Sequence, residues 1–285
     1  MKIGIMLDPY AKKHARYGDG KFEKIREHGF SAVDYGMQNT ETQLYACGDS
    51  EIEALLLRER ELADAAGVTV SQVHGPWRYP PRDSSEEERC ERMERMKRAI
   101  RATRLLGSKY VVIHPIMPHG TGDIAIGMAD ETFRLNVEFF SELAEYAEGE
   151  GVTVCLENMP MLGFSIARPS DILRLRDAIG SDSIGVCLDT GHVNVFSDMK
   201  VGEEIRRIGD KLNVLHVHDN LGDKDAHLSP TLGAIDWEDV PRALSDIGFS
   251  GVFSLECSPS ATLDDGEFEI ESIRLYEMAR KALGQ

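Results

Sequence analysis

The stretch IGVCLDTGH, residues Ile184–His192, decides which fold the sequence predicts. Its first residues are apolar or small, as in a buried β-strand, and a Thr-Gly pair then indicates a turn. The strand therefore ends in an acid, Asp189, with an imidazole just beyond it. Two further strand-like runs, CLEN at 155–158 and SLEC at 254–257, also end in an acid. Three such ends favour a shared polar edge over three unrelated helix caps.

Eight runs of this kind occur along the chain, and a pattern typical of an amphipathic helix follows each one. The runs are KIGIML (2–7), AVDYGM (32–37), VTVSQVHG (68–75), YVVIHP (110–115), VTVCLEN (152–158), IGVCLDTGH (184–192), LNVLHVHDN (212–220) and VFSLEC (252–257). The helical pattern is clearest at Glu86–Leu106, Asp130–Glu148 and Glu267–Leu283. Five helical patterns end at a glycine, the usual left-handed helix stop, namely Gly29, Gly67, Gly107, Gly151 and Gly248. Eight βα units without a linker predict an α/β fold, a (β/α)8 TIM barrel, as a single domain over residues 1–285.

Composition narrows the classes of partner. The chain carries 32 basic and 49 acidic residues, a net charge of −17, and such a surface repels phosphate backbones and anionic lipids. The densest basic stretch, Arg89–Arg104, contains glutamates at helical spacing and predicts a solvated helix face. We therefore expect neither nucleic acid nor a membrane as a partner, while a homo-oligomer stays open.

The ends and the cysteines of the chain indicate a compartment. The N-terminus turns polar too early for a signal peptide, and no apolar run is long enough to span a bilayer. The five cysteines are odd in number and lack paired spacing. We therefore expect a cytoplasmic protein with reduced thiols.

In barrels of this type the catalytic groups lie at the C-terminal ends of the strands, and this chain places many polar residues there. They are His74, His114, Glu157, Asp189, His192, His216, His218, Asp219, Asp225, His227 and Glu256. One such histidine alone would indicate a hydrogen-bonded core residue, and one aspartate a helix cap. Several carboxylates in one barrel mouth would repel each other, whereas a divalent cation would neutralise them and also bind imidazole. The sequence therefore predicts a site for a divalent metal such as Mn, Zn, Mg or Co.

Seven motifs resemble the xylose isomerase-like barrels: VHGPW, VVIHP, VCLENMP, CLDTGH, HVHDN, DAHLSP and FSLEC. That superfamily contains sugar isomerases and epimerases, inosose dehydratases and endonuclease IV. The resemblance implies that the core metal ligands are Glu157, Asp189, His216 and Glu256. The family's histidine ligand lies three residues before the acid that Asp219 matches, which selects His216. His218 is then expected to contact the substrate, to lie behind the ligands or to form part of the wall.

A second set of positions matches the remaining zinc ligands of endonuclease IV: His74, His114, His192, Asp225 and His227. The resemblance implies either additional metal ligands or a sugar pocket at these positions, and we expect one tightly held ion with at most a weaker second. The segments LENMPMLGFS and CLDTGHVNVF depart from endonuclease IV. Ketose 3-epimerases have a glutamate and an arginine at the positions of Gly163 and Gly222, so the chain departs from that group too.

The resemblance also implies a reaction. The metal would polarise the carbonyl of a sugar, sugar phosphate or cyclitol and acidify the adjacent C–H group, and the cation would stabilise the enediolate that forms. One of the two catalytic glutamates, Glu157 and Glu256, would remove a proton and the other would return it. Isomerisation, epimerisation and dehydration all begin in this way. The alternative is that both glutamates only bind metal.

The loop HGPWRYPPRD, residues 74–83, adds an aromatic residue and two arginines near the mouth. Trp77 could stack on a sugar face, and Arg78 or Arg82 could bind a phosphate or carboxylate. The alternative is a proline-stiffened loop with packing aromatics. Three functions stay open: a metal-dependent sugar isomerase or epimerase, which we favour, an endonuclease IV-like zinc phosphodiesterase acting on abasic DNA, and a non-catalytic carbohydrate-binding barrel.

Overall fold

The computed structural model describes residues 1–13, 17–39 and 43–285, which form a barrel of eight parallel β-strands. The strands are β1 (Lys2–Met6), β2 (Ala32–Gly36), β3 (Thr69–His74), β4 (Tyr110–Ile113), β5 (Thr153–Glu157), β6 (Ile184–Asp189), β7 (Leu212–His216) and β8 (Val252–Leu255). Strands pair in chain order, and β1 also pairs with β8. Just beyond β7, the Val217 N–H donates to the Ser254 carbonyl at 2.8 Å, and the Val217 carbonyl accepts from the Glu256 N–H at 3.0 Å. These bonds close the barrel, so the eight predicted strands and the predicted fold are confirmed.

Helices form the outer layer. In the described part of the chain they are α1 (Asp8–Lys12), α2 (Lys21–Glu27), α3 (Gln43–Ala46), α4 (Asp49–Ala65), α5 (Glu86–Leu105), α6 (Ala129–Glu150), α7 (Pro169–Ile179), α8 (Thr190–Asn194), α9 (Val201–Ile208), α10 (Asp239–Asp246) and α11 (Asp265–Ala282). The three clearest sequence predictions correspond to α5, α6 and α11 with each end within two residues. None of the helices in the described residues is both long enough and apolar enough to cross a lipid bilayer.

The glycines predicted to end helices all have a positive φ angle. The values are 103° at Gly29, 69° at Gly67, 77° at Gly107, 67° at Gly151 and 66° at Gly248. A side chain would strain the backbone in this left-handed region, so glycine lets the chain leave each helix and turn into the next strand. The predicted helix ends are confirmed.

Side chains alternate between the barrel interior and the helix layer along each strand. In β5, Val154 and Leu156 belong to the large hydrophobic core, whereas Cys155 belongs to a separate small cluster. That cluster consists of Val112, Cys155, Cys187 and Val214, one residue from each of β4 to β7. Two residues further along the chain from each of these are His114, just beyond β4, and Glu157, Asp189 and His216 at the ends of their strands. The alternation therefore places these four polar side chains on top of a small apolar layer, at the C-terminal end of the barrel.

The helix face predicted to be solvated, Arg89–Arg104, has one buried basic residue. Its other basic side chains are partly or fully exposed, whereas Arg92 on α5 is buried. Its guanidinium lies 2.5 Å from the Asp83 carboxylate and donates to the His114 carbonyl at 2.8 Å. The same Asp83 carboxylate accepts from the Met117 N–H at 2.8 Å. A buried guanidinium needs such partners, and here they tie the loop after β3 to the end of β4.

The loop after β7 is shaped by Asp219, which is fully buried. Its carboxylate accepts hydrogen bonds from the Gly233 N–H at 2.9 Å and from the Trp237 indole N–H at 2.7 Å. A buried carboxylate needs donors of this kind. Asp219 therefore has a structural role and holds the loop that carries Asp225 and His227.

Candidate metal centre

Four side chains converge at the C-terminal ends of β5 to β8. They are Glu157, Asp189, His216 and Glu256, and one ligand atom of each lies within 4.8 Å of the others. The Nδ1 atom of His216 lies 2.9 Å from Glu157 Oε1 and 3.2 Å from Glu256 Oε2. The structure thus brings together the four residues proposed as core ligands, while their role as ligands stays a prediction.

Strand register explains why these side chains meet. Glu157, Asp189 and His216 are the last residues of β5, β6 and β7, and Asp189 is paired with His216 in the β6–β7 ladder. Glu256 directly follows β8, beside the bonds that close the barrel. Asp189 also caps α8, since its Oδ1 atom accepts the His192 N–H at 2.6 Å. This bond fixes the direction of the carboxylate.

Burial and neighbouring charges shift the acidity of these carboxyl groups in opposite directions. Burial would raise the pKa of Glu157, but His216 and His114 outweigh it and hold that pKa well below its usual range. Burial raises the pKa of Glu256 well above its usual range. The charges of Glu157 and Asp189 also raise this pKa, whereas His216 lowers it. The ionised form of Glu157 is therefore stabilised by imidazoles, whereas the ionised form of Glu256 is disfavoured by burial and by neighbouring carboxylates.

The chemistry of this set fits a divalent metal ion. Asp189 Oδ2 and Glu256 Oε2 are buried, and neither has a hydrogen-bond partner among the described residues. Buried carboxylate oxygens without a partner are costly, and a cation removes that cost. Three carboxylates and an imidazole nitrogen directed at one point are also ligands that zinc, manganese and related ions accept. The cluster therefore supports a divalent metal site.

Sequence reasoning missed Asp34, a buried acid on β2. Its Oδ2 atom lies 2.9 Å from His216 Nε2 and accepts a hydrogen bond from Gln72 Nε2 at 2.9 Å. Histidines that bind metal through one ring nitrogen commonly donate the other N–H to a carboxylate, which fixes the ring orientation and raises its basicity. Asp34 is placed for this role towards His216. The available signal was an acid in the middle of an otherwise apolar strand, AVDYG.

His74 and His114 border the same centre. His114 Nε2 lies 2.9 Å from Glu157 Oε2, and burial lowers the pKa of His114 to about 4 despite that carboxylate. His74 Nε2 lies 3.8 Å from Glu157 Oε2 and 3.9 Å from Glu256 Oε1. Its ring stacks on His216, with ring centres 5.2 Å apart. Both histidines can therefore extend the ligand set or contact a substrate.

A second cluster lies beside the first. It consists of His192, His218, Asp225 and His227, and one ligand atom of each lies within 4.8 Å of the others. The Oδ2 atom of Asp225 lies 3.4 Å from His192 Nε2 and 3.2 Å from His227 Nε2. His218 stacks on His227 with ring centres 4.0 Å apart. The resemblance did not assign His218 to this set. The alternation in HVH, residues 216–218, nevertheless predicts that His216 and His218 point to the same side of the chain.

Asp189 joins the two clusters, because its Oδ1 atom lies 3.0 Å from His218 Nε2. Burial alone would lower the pKa of His192, but the carboxylates of Asp189, Asp225 and Glu157 outweigh it and raise that pKa to about 10. Burial would also lower the pKa of His227, but neighbouring carboxylates, above all Asp225, raise that pKa to about 9. Both imidazoles are therefore protonated at neutral pH when the cluster holds no metal.

The loop after β3 carries three residues that were proposed as substrate contacts, Trp77, Arg78 and Arg82, and their surroundings differ. The half-buried ring of Trp77 lies against His114, with ring centres 4.4 Å apart, so it borders the centre. The Arg78 guanidinium turns away and donates to the Arg82 carbonyl at 3.2 Å. Trp77 can therefore contact a ligand of the centre, whereas neither arginine touches the clustered residues. Their roles in binding a substrate stay predictions.

The two glycines that separate the chain from ketose 3-epimerases have physical reasons to stay glycine. A Cβ atom at Gly163 would lie 3.0 Å from the Thr121 carbonyl oxygen, so a side chain there would require the backbone around Thr121 to shift. Gly222 has a φ of 85°, in the left-handed region. The local geometry therefore favours glycine over the polar side chains of that group at these two positions.

We expect Asp34→Asn to lower the affinity for Zn²⁺ or Mn²⁺ by about 10- to 100-fold, the usual cost of losing the outer partner of a histidine ligand. Chelator competition or calorimetry measures the affinity. Ser254→Ala is a matched control, because Ser254 is a buried residue of β8 whose hydroxyl oxygen has no hydrogen-bond partner among the described residues. Equal affinities in the wild type and the Asp34 variant would show that Asp34 does not act through His216.

Metal binding at the second cluster should release protons. Because the pKa values of His192 and His227 are raised to about 10 and about 9, a metal ion must displace their protons at pH 7. We expect about one to two protons released per ion bound there, and an affinity that rises as the pH approaches 9. Calorimetry in buffers of different ionisation enthalpy measures the release, with His227→Gln as the variant that reduces it. Binding to this cluster without proton release would contradict the assignment.

Comparisons with known proteins identify the family of the chain. The sequence profile of the xylose isomerase-like TIM barrel family matches residues 22–275. An uncharacterised protein of Methanocaldococcus jannaschii is 31% identical over 241 residues, which are 82% of this chain and 77% of that protein. D-psicose 3-epimerase of Enterocloster bolteae is 23% identical over 258 residues, 90% of this chain and 82% of the enzyme. The crystal structure of a D-tagatose 3-epimerase-like protein superposes with a TM-score of 0.77 at 25% identity, covering 100% of this chain and 98% of that one. The chain belongs to the xylose isomerase-like TIM barrel family.

Proposed function

We propose that the protein is a divalent-metal-dependent isomerase or epimerase of a sugar or a sugar-derived compound. The observation that carries this proposal is the pair of glutamates beside one imidazole, with Glu157 at 2.9 Å and Glu256 at 3.2 Å from His216 Nδ1. The two glutamates come from β5 and β8, so they approach the centre from different directions. Two carboxyl groups placed in this way can remove and return a proton on a bound substrate. The names of relatives, D-psicose 3-epimerase among them, also support the proposal.

Glu157, Asp189, His216 and Glu256 would hold the metal ion. When bound, the ion supplies positive charge beside the oxygens of a hydroxy-carbonyl unit, which makes the adjacent C–H group more acidic. The residues of the chain orient this unit, exclude water and move the proton. His74 and His114 border the same space and can donate or accept hydrogen bonds with sugar hydroxyl groups.

The two glutamates differ in a way that supports different roles. Glu157 is fully buried, and its two oxygens contact His216 and His114. Glu256 keeps 12% of its side chain exposed and has an oxygen with no hydrogen-bond partner among the described residues. We therefore assign the mobile proton to Glu256, with Glu157 as ligand and second acid–base group.

We expect Glu256→Gln to lower turnover by about 10²- to 10⁴-fold, because a carboxamide cannot shuttle a proton at neutral pH. Metal binding should largely persist, since the amide keeps one oxygen for the ion. The measurement is deuterium incorporation from D₂O into a panel of ketoses, aldoses and cyclitol ketones, with metal content followed in parallel. Glu267→Gln, an exposed change at the start of α11, is the matched control. Unchanged exchange in Glu256→Gln would reduce Glu256 to a ligand.

A second candidate function rests on the second cluster. A sugar isomerase needs only the four-ligand site, whereas a phosphodiesterase of the endonuclease IV kind uses several clustered metals. The same assay therefore includes a duplex with an abasic site and a metal count by elemental analysis. Three zinc ions per chain with strand scission would replace the isomerase proposal, and sugar binding without exchange would indicate a carbohydrate-binding barrel. One ion with deuterium exchange and no scission is the result that we expect.

A further inference from the structure

A cleft lies next to the metal centre on the same end of the barrel. It has a volume of about 510 Å³, and the residues that define it as the arginine cleft are Gln38, Trp77, Arg78, Arg82, Glu91 and Arg95. Gln38 follows β2 and Trp77 follows β3, so both lie beyond the C-terminal ends of their strands. The cleft therefore opens on the face where the proposed reaction takes place.

The charge of the cleft differs from that of the molecule. Three of the lining residues that the structure describes are arginines and only Glu91 is acidic, in a chain whose net charge is −17. The Glu91 carboxylate is shared, since it lies 2.5 Å from the Arg95 guanidinium and 3.7 Å from the Arg78 guanidinium. Among the described residues, the Arg82 guanidinium has neither an ion pair nor a hydrogen bond. The charged side chains of the cleft thus sum to +2, and Arg82 is the arginine without an acidic partner.

The walls of the cleft are fixed relative to the metal centre. Arg82 precedes Asp83, whose buried carboxylate contacts the Arg92 guanidinium at 2.5 Å. Arg92 lies on α5 with Arg95 and donates to the His114 carbonyl at 2.8 Å. These contacts join the loop that carries Arg82, helix α5 and the end of β4 into one unit, so the backbone positions of Arg82 and Arg95 are fixed relative to the metal centre.

Trp77 connects the cleft to the centre. Its ring lines the cleft and lies 4.4 Å, centre to centre, from the His114 ring, whose Nε2 atom is 2.9 Å from Glu157 Oε2. The indole N–H has no hydrogen-bond partner among the described residues. A ligand whose reacting carbons lie at the centre can therefore pass over Trp77 and place its other end among the arginines.

We propose that the arginine cleft binds an anionic oxygen group of the substrate, a phosphate ester or a carboxylate, at the end remote from the reacting carbons. The proposal rests on the proposed function for the position of the reacting end, and it selects sugar phosphates or sugar acids over neutral sugars. The forked guanidinium suits both groups, because it donates two parallel hydrogen bonds to two anionic oxygens. Arg82 is the principal contact, and Arg95 is the second.

Binding of inorganic phosphate and of acetate to the full chain, freed of metal with a chelator, tests the proposal. Titrations followed by ³¹P line broadening and by calorimetry give the dissociation constants. We expect Arg82→Ala and Arg95→Ala each to weaken binding of the preferred anion by at least about tenfold. Arg242→Ala, a change of an exposed arginine on α10, should bind as the wild type does. The anion that binds more tightly identifies the substrate group as phosphate or carboxylate.

Equal binding in the wild type, Arg82→Ala and Arg242→Ala would overturn the proposal, since the anion would then bind elsewhere, for example at the protonated histidines. No binding of either anion would overturn it as well. The titrations measure anion binding and not turnover, whereas the deuterium-exchange assay measures turnover. Failure of the isomerase proposal and failure of the anion site therefore give different results.

Discussion

Repulsion between three carboxylates, Glu157, Asp189 and Glu256, is the constraint on which the rest of the site depends. The strand ends force these groups into one largely buried space. Two like charges 4 Å apart repel by about 4 kcal/mol at an effective dielectric constant of 20, so the cluster needs nearby positive charge. The histidines around it supply that charge as protons, which is why the pKa of His192 is raised to about 10. A divalent ion offers the same compensation without protons, so metal and protons compete for one electrostatic role.

The barrel makes this concentration of charge possible because it separates two environments along each strand. Apolar side chains on one face hold the helices in place, and the opposite face fills the interior with a small layer of Val112, Cys155, Cys187 and Val214. Most of the buried polar strand residues then occupy the last layer. Asp34 and Gln72 are a buried polar pair on β2 and β3, and the Asp34 carboxylate is tolerated because Gln72 donates to it and His216 lies against it. The cost of burying Asp34 is thereby linked to the orientation of His216.

The sequence allowed the fold and the central cluster to be predicted because both depend on local patterns. Apolar runs that end in an acid or a histidine identify each strand and its functional end, and glycine identifies each helix stop. The contact between Asp34 and His216 could not be predicted in this way, because it spans the barrel interior between β2 and β7. The grouping of His218 with Asp225 and His227 depends on how a loop returns to the barrel. The burial of Arg92 was hidden by glutamates at helical spacing, which are typical of an exposed face.

A crystal structure of the protein loaded with Mn²⁺ or Zn²⁺, with anomalous diffraction recorded at the edge of that metal, tests the central claim most directly. The strongest anomalous peak should lie about 2.0–2.2 Å from ligand atoms of Glu157, Asp189, His216 and Glu256. A weaker peak among His192, His218, Asp225 and His227 would be compatible with the second cluster. A strongest peak away from the four residues, or no peak at saturating metal, would contradict the proposed centre.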